Sequence, residues 1–118
     1  MDRYAEIRKL DERLTELGVN HVLVSRDISR YICGYGNAYS TVKDWGLQVI
    51  VYKQDAEQVR KNILWDAICD LGSYGYEQGL LEIMGVIVDE KKVKDRVEGY
   101  LTADEVMQRY NDWSVKNG

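Results

Sequence analysis

The stretch RYICGYGNAYST, residues 30–41, gathers tyrosines, glycines, an asparagine, a cysteine and small hydroxyl residues, with almost nothing that reads as core. Tyrosine offers a large amphipathic ring at low entropic cost, while glycine and asparagine let the backbone turn sharply; these are contact-surface residue types. Arg26 and Arg30 interleave with Tyr31, Tyr35 and Tyr39. Arginine forks fit phosphate bidentately, tyrosine rings stack on a base, and Asn37 could read a base edge. Gly34 and Gly36 would let backbone N–H groups converge on an anion. The pattern predicts a site for a phosphate-bearing, nucleotide-like ligand. The blander alternative pairs the arginines with nearby carboxylates and lays the tyrosines over a sheet edge. A second cluster, GSYGYEQG with Tyr74 and Tyr76, joins the site if its segment folds back on the first, and is otherwise a plain connection.

Catalytic chemistry has thinner material. His21 is the single histidine and falls in an apolar, strand-like run, where a structural role is the default. A Cys33 nucleophile would need His21 beside it in space. No nucleophile elbow, phosphate-cradling loop or metalloprotease spacing occurs. Asp66 and Asp70, with Asp89, Glu90, Asp104 and Glu105, could in principle hold a divalent ion. The simpler reading makes Asp66 and Asp70 the solvated strip of a helix, and Asp104 and Glu105 the dipole-complementing first turn of another. No metal, cofactor or catalytic residue is therefore expected.

Elements must position these residues. DRYAEIRKLDERLTELG sets Ile7, Leu10, Leu14 and Leu17 at helical spacing and ends on Gly18, which predicts an amphipathic helix. VNHVLVS reads as a strand, and RDISRYI as a single helical turn. YSTVK and LQVIVYK flank Asp44, Trp45 and Gly46, the chemistry of a hairpin. From Asp55 as N-cap, AEQVRKNILWDAICDLG places Val59, Ile63, Ala67 and Leu71 on one stripe and predicts a central helix; LLEIMG predicts a short one. In LTADEVMQRYNDW, Thr102 and Glu105 form a capping box, Val106, Tyr110 and Trp113 share a stripe, and SVKNG reads as a frayed tail. The expected fold is one α+β domain spanning 1–118, a small three-stranded, mostly antiparallel sheet packed with helices and a helical C-terminal portion.

Composition bounds the function. The chain has 118 residues, 16 basic and 20 acidic, and a net charge of −4, too little of either sign to coat a nucleic-acid polymer or to imitate one. No apolar run reaches membrane-spanning length and the N-terminus is charged throughout, so a cytoplasmic location is expected. Cys33 and Cys69 are far apart, which predicts reduced thiols. Phenylalanine and proline are absent, so Tyr and Trp supply all the aromatic area, and each carries a polar atom that seeks a partner. That composition favours an interface, with Trp45, Tyr110 and Trp113 as candidate anchors and a homodimer as one outcome.

DLGSYGYEQGLLEIMG followed by VEGYLTADEVMQRY resembles the ends of short accessory proteins encoded by phages and prophages of Gram-positive bacteria, over the last third of the chain. The resemblance implies an accessory protein acting in the cytoplasm of an infected cell, where such proteins often antagonise host defence, and it carries over no catalytic residue. The preferred expectation is a non-enzymatic binding protein that sequesters a phosphorylated small molecule. One alternative is an inhibitor of a host protein such as a nuclease, gripped by Tyr35, Tyr39 and Trp45; the other is a small metal-dependent hydrolase.

Overall fold

Ile7, Leu10 and Leu14 recur at three- and four-residue spacing and are fully buried along α1, Ala5–Glu16. Burying each contributes about 1.5–3 kcal/mol. The helix stops where the sequence predicts: Gly18 takes φ +68°, its N–H donates to Thr15 O, and Val19 N–H donates to Leu14 O, a paired C-terminal cap. Residues 1–26, 46–93 and 95–117 are described in this computed structural model.

Five strands follow as an antiparallel meander in chain order: β1 (His21–Arg26), β2 (Gly46–Tyr52), β3 (Ile63–Asp70), β4 (Leu81–Gly85) and β5 (Val97–Leu101). A final helix, α2 (Ala103–Asn117), completes the chain order. The sheet presents Val49 and Val51 from β2, Trp65, Ala67 and Cys69 from β3, and Leu81 and Ile83 from β4 to one face. There they meet Ile7, Leu10 and Leu14 of α1 and Val106 and Met107 of α2 in a single core. The α+β class and the antiparallel sheet agree with expectation, but among the described residues the sheet has five strands rather than three.

Three of these five strands depart from expectation: β3 and β4 come from segments expected to be helical, and β5 from VEGYL, for which the sequence predicts no element. Of the stripe Val59, Ile63, Ala67 and Leu71, only Ala67 is buried. The burial alternates instead, Trp65, Ala67 and Cys69 inward, as a strand requires. Leu64 and Ile68 alternate with these inward residues, so the run satisfies periods of 2 and 3.6 alike. LLEIMG is β4, with Leu81 and Ile83 inward and Glu82 and Met84 on the other side. Asp55 caps no helix; it sits in the turn after β2 at φ +62°.

The expected hairpin is also corrected. β2 is hydrogen-bonded along one edge to β1 and along the other to β3, so it has no free edge for a partner strand from YSTVK. YSTVK and all of the RDISRYI turn except Arg26, the last residue of β1, lie within 27–45, outside the described residues. The C-terminal SVKNG is helical as far as Asn117.

The capping box forms as predicted, Thr102 N–H donating to Glu105 Oε1 at 3.0 Å and Glu105 N–H to Thr102 Oγ1 at 3.2 Å. Glu6 of α1 adds a bond to the same helix start, accepting from Ala103 N–H at 2.7 Å. Lys9 and Arg13 reach Asp104 at 3.2 and 3.1 Å, which ties the two helices together over the sheet. No described helix is long and apolar enough to cross a membrane.

Candidate binding site at one end of the sheet

Arg26, Gly46 and Asp70 are successive Cα partners across β1, β2 and β3. The connection 27–45 therefore leaves from and returns to adjacent strand ends, and the connection 71–80 starts beside them. Topology brings the origins of the two tyrosine- and glycine-rich stretches to the same end of the sheet. A connection of this length is several times the roughly 2 to 5 residues of an ordinary hairpin loop, and long connections on rigid scaffolds are disproportionately binding segments.

Alternation along the strands turns Arg26, Gln48, Asp66, Asp70 and Glu82 to the face away from the helices. Arg26, Gln48, Asp66 and Asp70 form a connected polar set, and Glu82 stands on the same face. The Arg26 guanidinium pairs with the buried Asp70 carboxylate, and its Nη1 donates to Gln48 Oε1 at 3.2 Å. Gln48 Nε2 in turn donates to Asp66 Oδ2 at 2.8 Å. Glu82 Oε1 accepts from Tyr74 N–H at 3.0 Å. Burial pushes the Asp66 carboxyl above its ordinary range, only partly offset by the Gln48 bond and the Arg26 charge. Burial raises Glu82 too, with the negative charges of Asp70 and Asp66 adding to the effect. Around the Arg26 guanidinium, carboxylates outnumber cations among the described residues.

At the margin of this face Tyr74 and Tyr100 bring their ring centroids to 6.3 Å, and their residues are 56% and 57% exposed. Two backbone features hold the pair. Gly99 leaves room for Tyr74, since a Cβ built there would lie 2.3 Å from the tyrosine's Cβ. Tyr100 takes φ +59°, a left-handed conformation unusual for a bulky residue, at an irregularity in the β4–β5 register, and its N–H donates to Tyr74 O. Strained residues in strand irregularities concentrate beside functional surfaces.

The predicted site residues fall into three groups. Arg26 and Tyr74 stand near the sheet end described above, Arg26 already engaged by a carboxylate. Tyr76 is instead a structural residue: Arg3 lies 4.4 Å over its ring and donates through Nε to its carbonyl at 3.1 Å. Burial, followed by the neighbouring Tyr76 hydroxyl, pushes Tyr4 up to about 12. Arg30, Tyr31, Tyr35, Asn37, Tyr39 and Trp45 lie outside the described residues, as do Cys33, Gly34 and Gly36.

Tyr110 and Trp113, the candidate interface anchors, pack against the protein's own core. Tyr110 stands 5.4 Å from the Trp65 ring, and Trp113 stacks on Tyr110 at 6.4 Å. Trp113 also lines a groove of about 580 Å³ bounded by the segment 86–93, Glu98 and α2. Its polar lining is internally compensated: Arg109 forks onto Glu98 at 3.1 and 2.8 Å, and Asp89 and Asp112 interleave with the lysines.

The catalytic candidates are structurally engaged. His21 has one ring nitrogen 2.8 Å from Val19 O and the other 2.8 Å from Asp11 Oδ1, so neither is free to serve a thiol. Cys69 is buried, and desolvation pushes its thiol up to about 11, which leaves no nucleophilic thiolate at neutral pH. Asp66 and Asp70 stand on a strand rather than on a helix, with Asp70 tied to Arg26. Among the described residues no three His, Cys, Asp or Glu side chains converge as a metal ion would require.

Sequence reasoning missed Gln48, Glu82 and Tyr100. Tyr100 had a signal, because a glycine inside a strand pattern, here Gly99, marks a bulge or a close approach. The polar network had none: it depends on strand order, which brings Gln48 between Arg26 and Asp66. The class defined by this architecture is an α+β meander with both described helices on one face of the sheet. Compared with protein-family models, curated proteins and solved structures, the chain finds no match in any of the three.

Proposed function

We propose that this chain is a non-enzymatic binding protein that acts by gripping another protein, using the connection 27–45 together with the Tyr74–Tyr100 pair. The observation that carries this choice is the pairing of Arg26 with Asp70 beside Asp66 and Glu82. A phosphate approaching Arg26 would meet a cation already neutralised and further carboxylates at close range, so the preferred phosphorylated-ligand reading loses one of its two arginines. The carboxylates of this face, bordered by exposed tyrosines, suit a basic protein surface instead: tyrosine supplies hot-spot area, and the carboxylates complement the partner's charge. Such a protein would inhibit its target by occupation, in keeping with the defence-antagonist role implied by the resemblance to phage accessory proteins.

The test combines affinity capture with two substitutions. Tyr74→Ala removes one ring, and Tyr100→Gly removes the other while relieving the left-handed strain. Tyr100→Gly is expected to leave stability unchanged or raise it by up to about 1 kcal/mol. Wild-type protein is expected to recover a stoichiometric protein partner from host lysate, in a complex that weakens with rising salt, and the double variant is expected to lose it. Titration calorimetry with nucleotides gives the opposing arm. Saturable nucleotide binding by wild-type protein, without a protein partner, would restore the phosphorylated-ligand reading.

A further inference from the structure

β1 is the outermost strand, paired with β2 on one side and with no described strand on the other. Edge strands are commonly blunted by lysine, proline or a bulge, because an unpaired backbone row templates pairing with another chain. β1 carries none of these. Its register against β2 runs unbroken from His21 to Arg26, the chain has no proline, and Arg26 at the strand's end is engaged with Asp70. At the centre, Val22, Leu23 and Val24 read the same in either direction, and Leu23 and Val24 each keep 36% exposure.

We infer that β1 is a self-pairing edge: it joins antiparallel to β1 of a second copy about a two-fold axis that passes through Leu23 normal to the sheet. Such an axis keeps the helices of both copies on one side, so opposed residues must share a face, and only registers centred on a residue qualify. Centring on Leu23 sets Leu23 against Leu23, Val22 against Val24, His21 against Ser25 and Asn20 against Arg26. Every central pair is apolar and no like charges face each other. Centring one residue later sets Val22 against Arg26 and Leu23 against Ser25; one residue earlier sets His21 against Leu23. Both discard the apolar match. Leu23 shares the helix-side face with the core residue Val49, its β2 partner, so the Leu23 pair extends the core across the joint. The valine pairs close the opposite face. Because the strands run antiparallel, the two connections 27–45 leave from opposite ends of the joint, which would make the assembly bivalent.

Sedimentation equilibrium on the full chain tests the pairing. The wild type is expected to move with concentration from 13.7 kDa toward twice that mass. Leu23→Lys is expected to hold it at the monomer mass with an unchanged circular dichroism spectrum. Register is read separately by cysteine substitution in a Cys33→Ser background. Leu23→Cys is expected to oxidise to a disulfide-linked dimer, since opposed residues there are equivalent, while Ser25→Cys is not, because it faces His21. If Leu23→Lys fails to fold, this pair of variants decides alone. A wild type that stays monomeric at every concentration, or a dimer in which Ser25→Cys cross-links in preference to Leu23→Cys, overturns the inference.

Discussion

Asp66 shows how one side chain couples burial, hydrogen bonding and pH. Its carboxyl lies above the ordinary range because burial disfavours the charge more than Gln48 and Arg26 favour it, and Glu82 is displaced in the same direction. A carboxyl raised in the folded state binds its proton more tightly there than in the unfolded chain. The stabilisation is complete below the ordinary carboxylate range and is lost as pH rises through the folded values. Asp66→Asn keeps an oxygen to accept from Gln48 Nε2 but removes the charge. Its urea midpoint at neutral pH is expected to equal or exceed that of the wild type, and the decline in stability above the carboxylate range is expected to be shallower. A loss of more than about 1 kcal/mol at neutral pH would mean that the charge itself is stabilising through Arg26. The residue types around Arg26 were legible in the sequence; their pairing was not. Arg26 and Asp70 are distant in the chain and meet because β1 and β3 flank Gly46.

At the scale of elements, two helix-end signals held, at Gly18 and at Thr102, whereas Asp55 caps no helix and the last helix runs on through the expected tail. The Gly18 stop and the Thr102–Glu105 box depend on residues within a few positions of one another, so local chemistry suffices to specify them. Thr102→Ala removes one of the two reciprocal bonds and is expected to cost about 1 kcal/mol in chemical denaturation, with the loss confined to the start of α2 in hydrogen exchange. An unchanged midpoint would indicate that the Glu6 bond to Ala103 N–H carries the cap alone. β3 and β4 were misread for the opposite reason. Ile68 and Met84 put apolar side chains on the outward face among the acidic ones, and the mixed pattern fits a helix as well as a strand. Only the arrival of β2 and β4 on either side resolves that ambiguity.

For the whole molecule, the first and last helices lie side by side over a sheet whose strands follow chain order, so the core closes only when both ends of the chain have docked. Removing residues 1–18 would uncover Val49, Val51 and Ala67 together. The shortened chain is expected to lose its cooperative unfolding transition and to bind an apolar fluorescent dye, whereas a sharp retained transition would show that α2 and the sheet suffice. By itself the sequence determined the α+β class, α1, β1, β2 and α2, because each of these is written in local periodicity and caps. It also singled out the tyrosine- and glycine-rich stretches by their composition. The tertiary structure decided the order of the described strands, the common origin of those two stretches at one end of the sheet, the neutralisation of Arg26 and the place of β1 as the outermost described strand. These depend on which strands become neighbours, and strand order is set by the burial of whole faces rather than by any short run of residues.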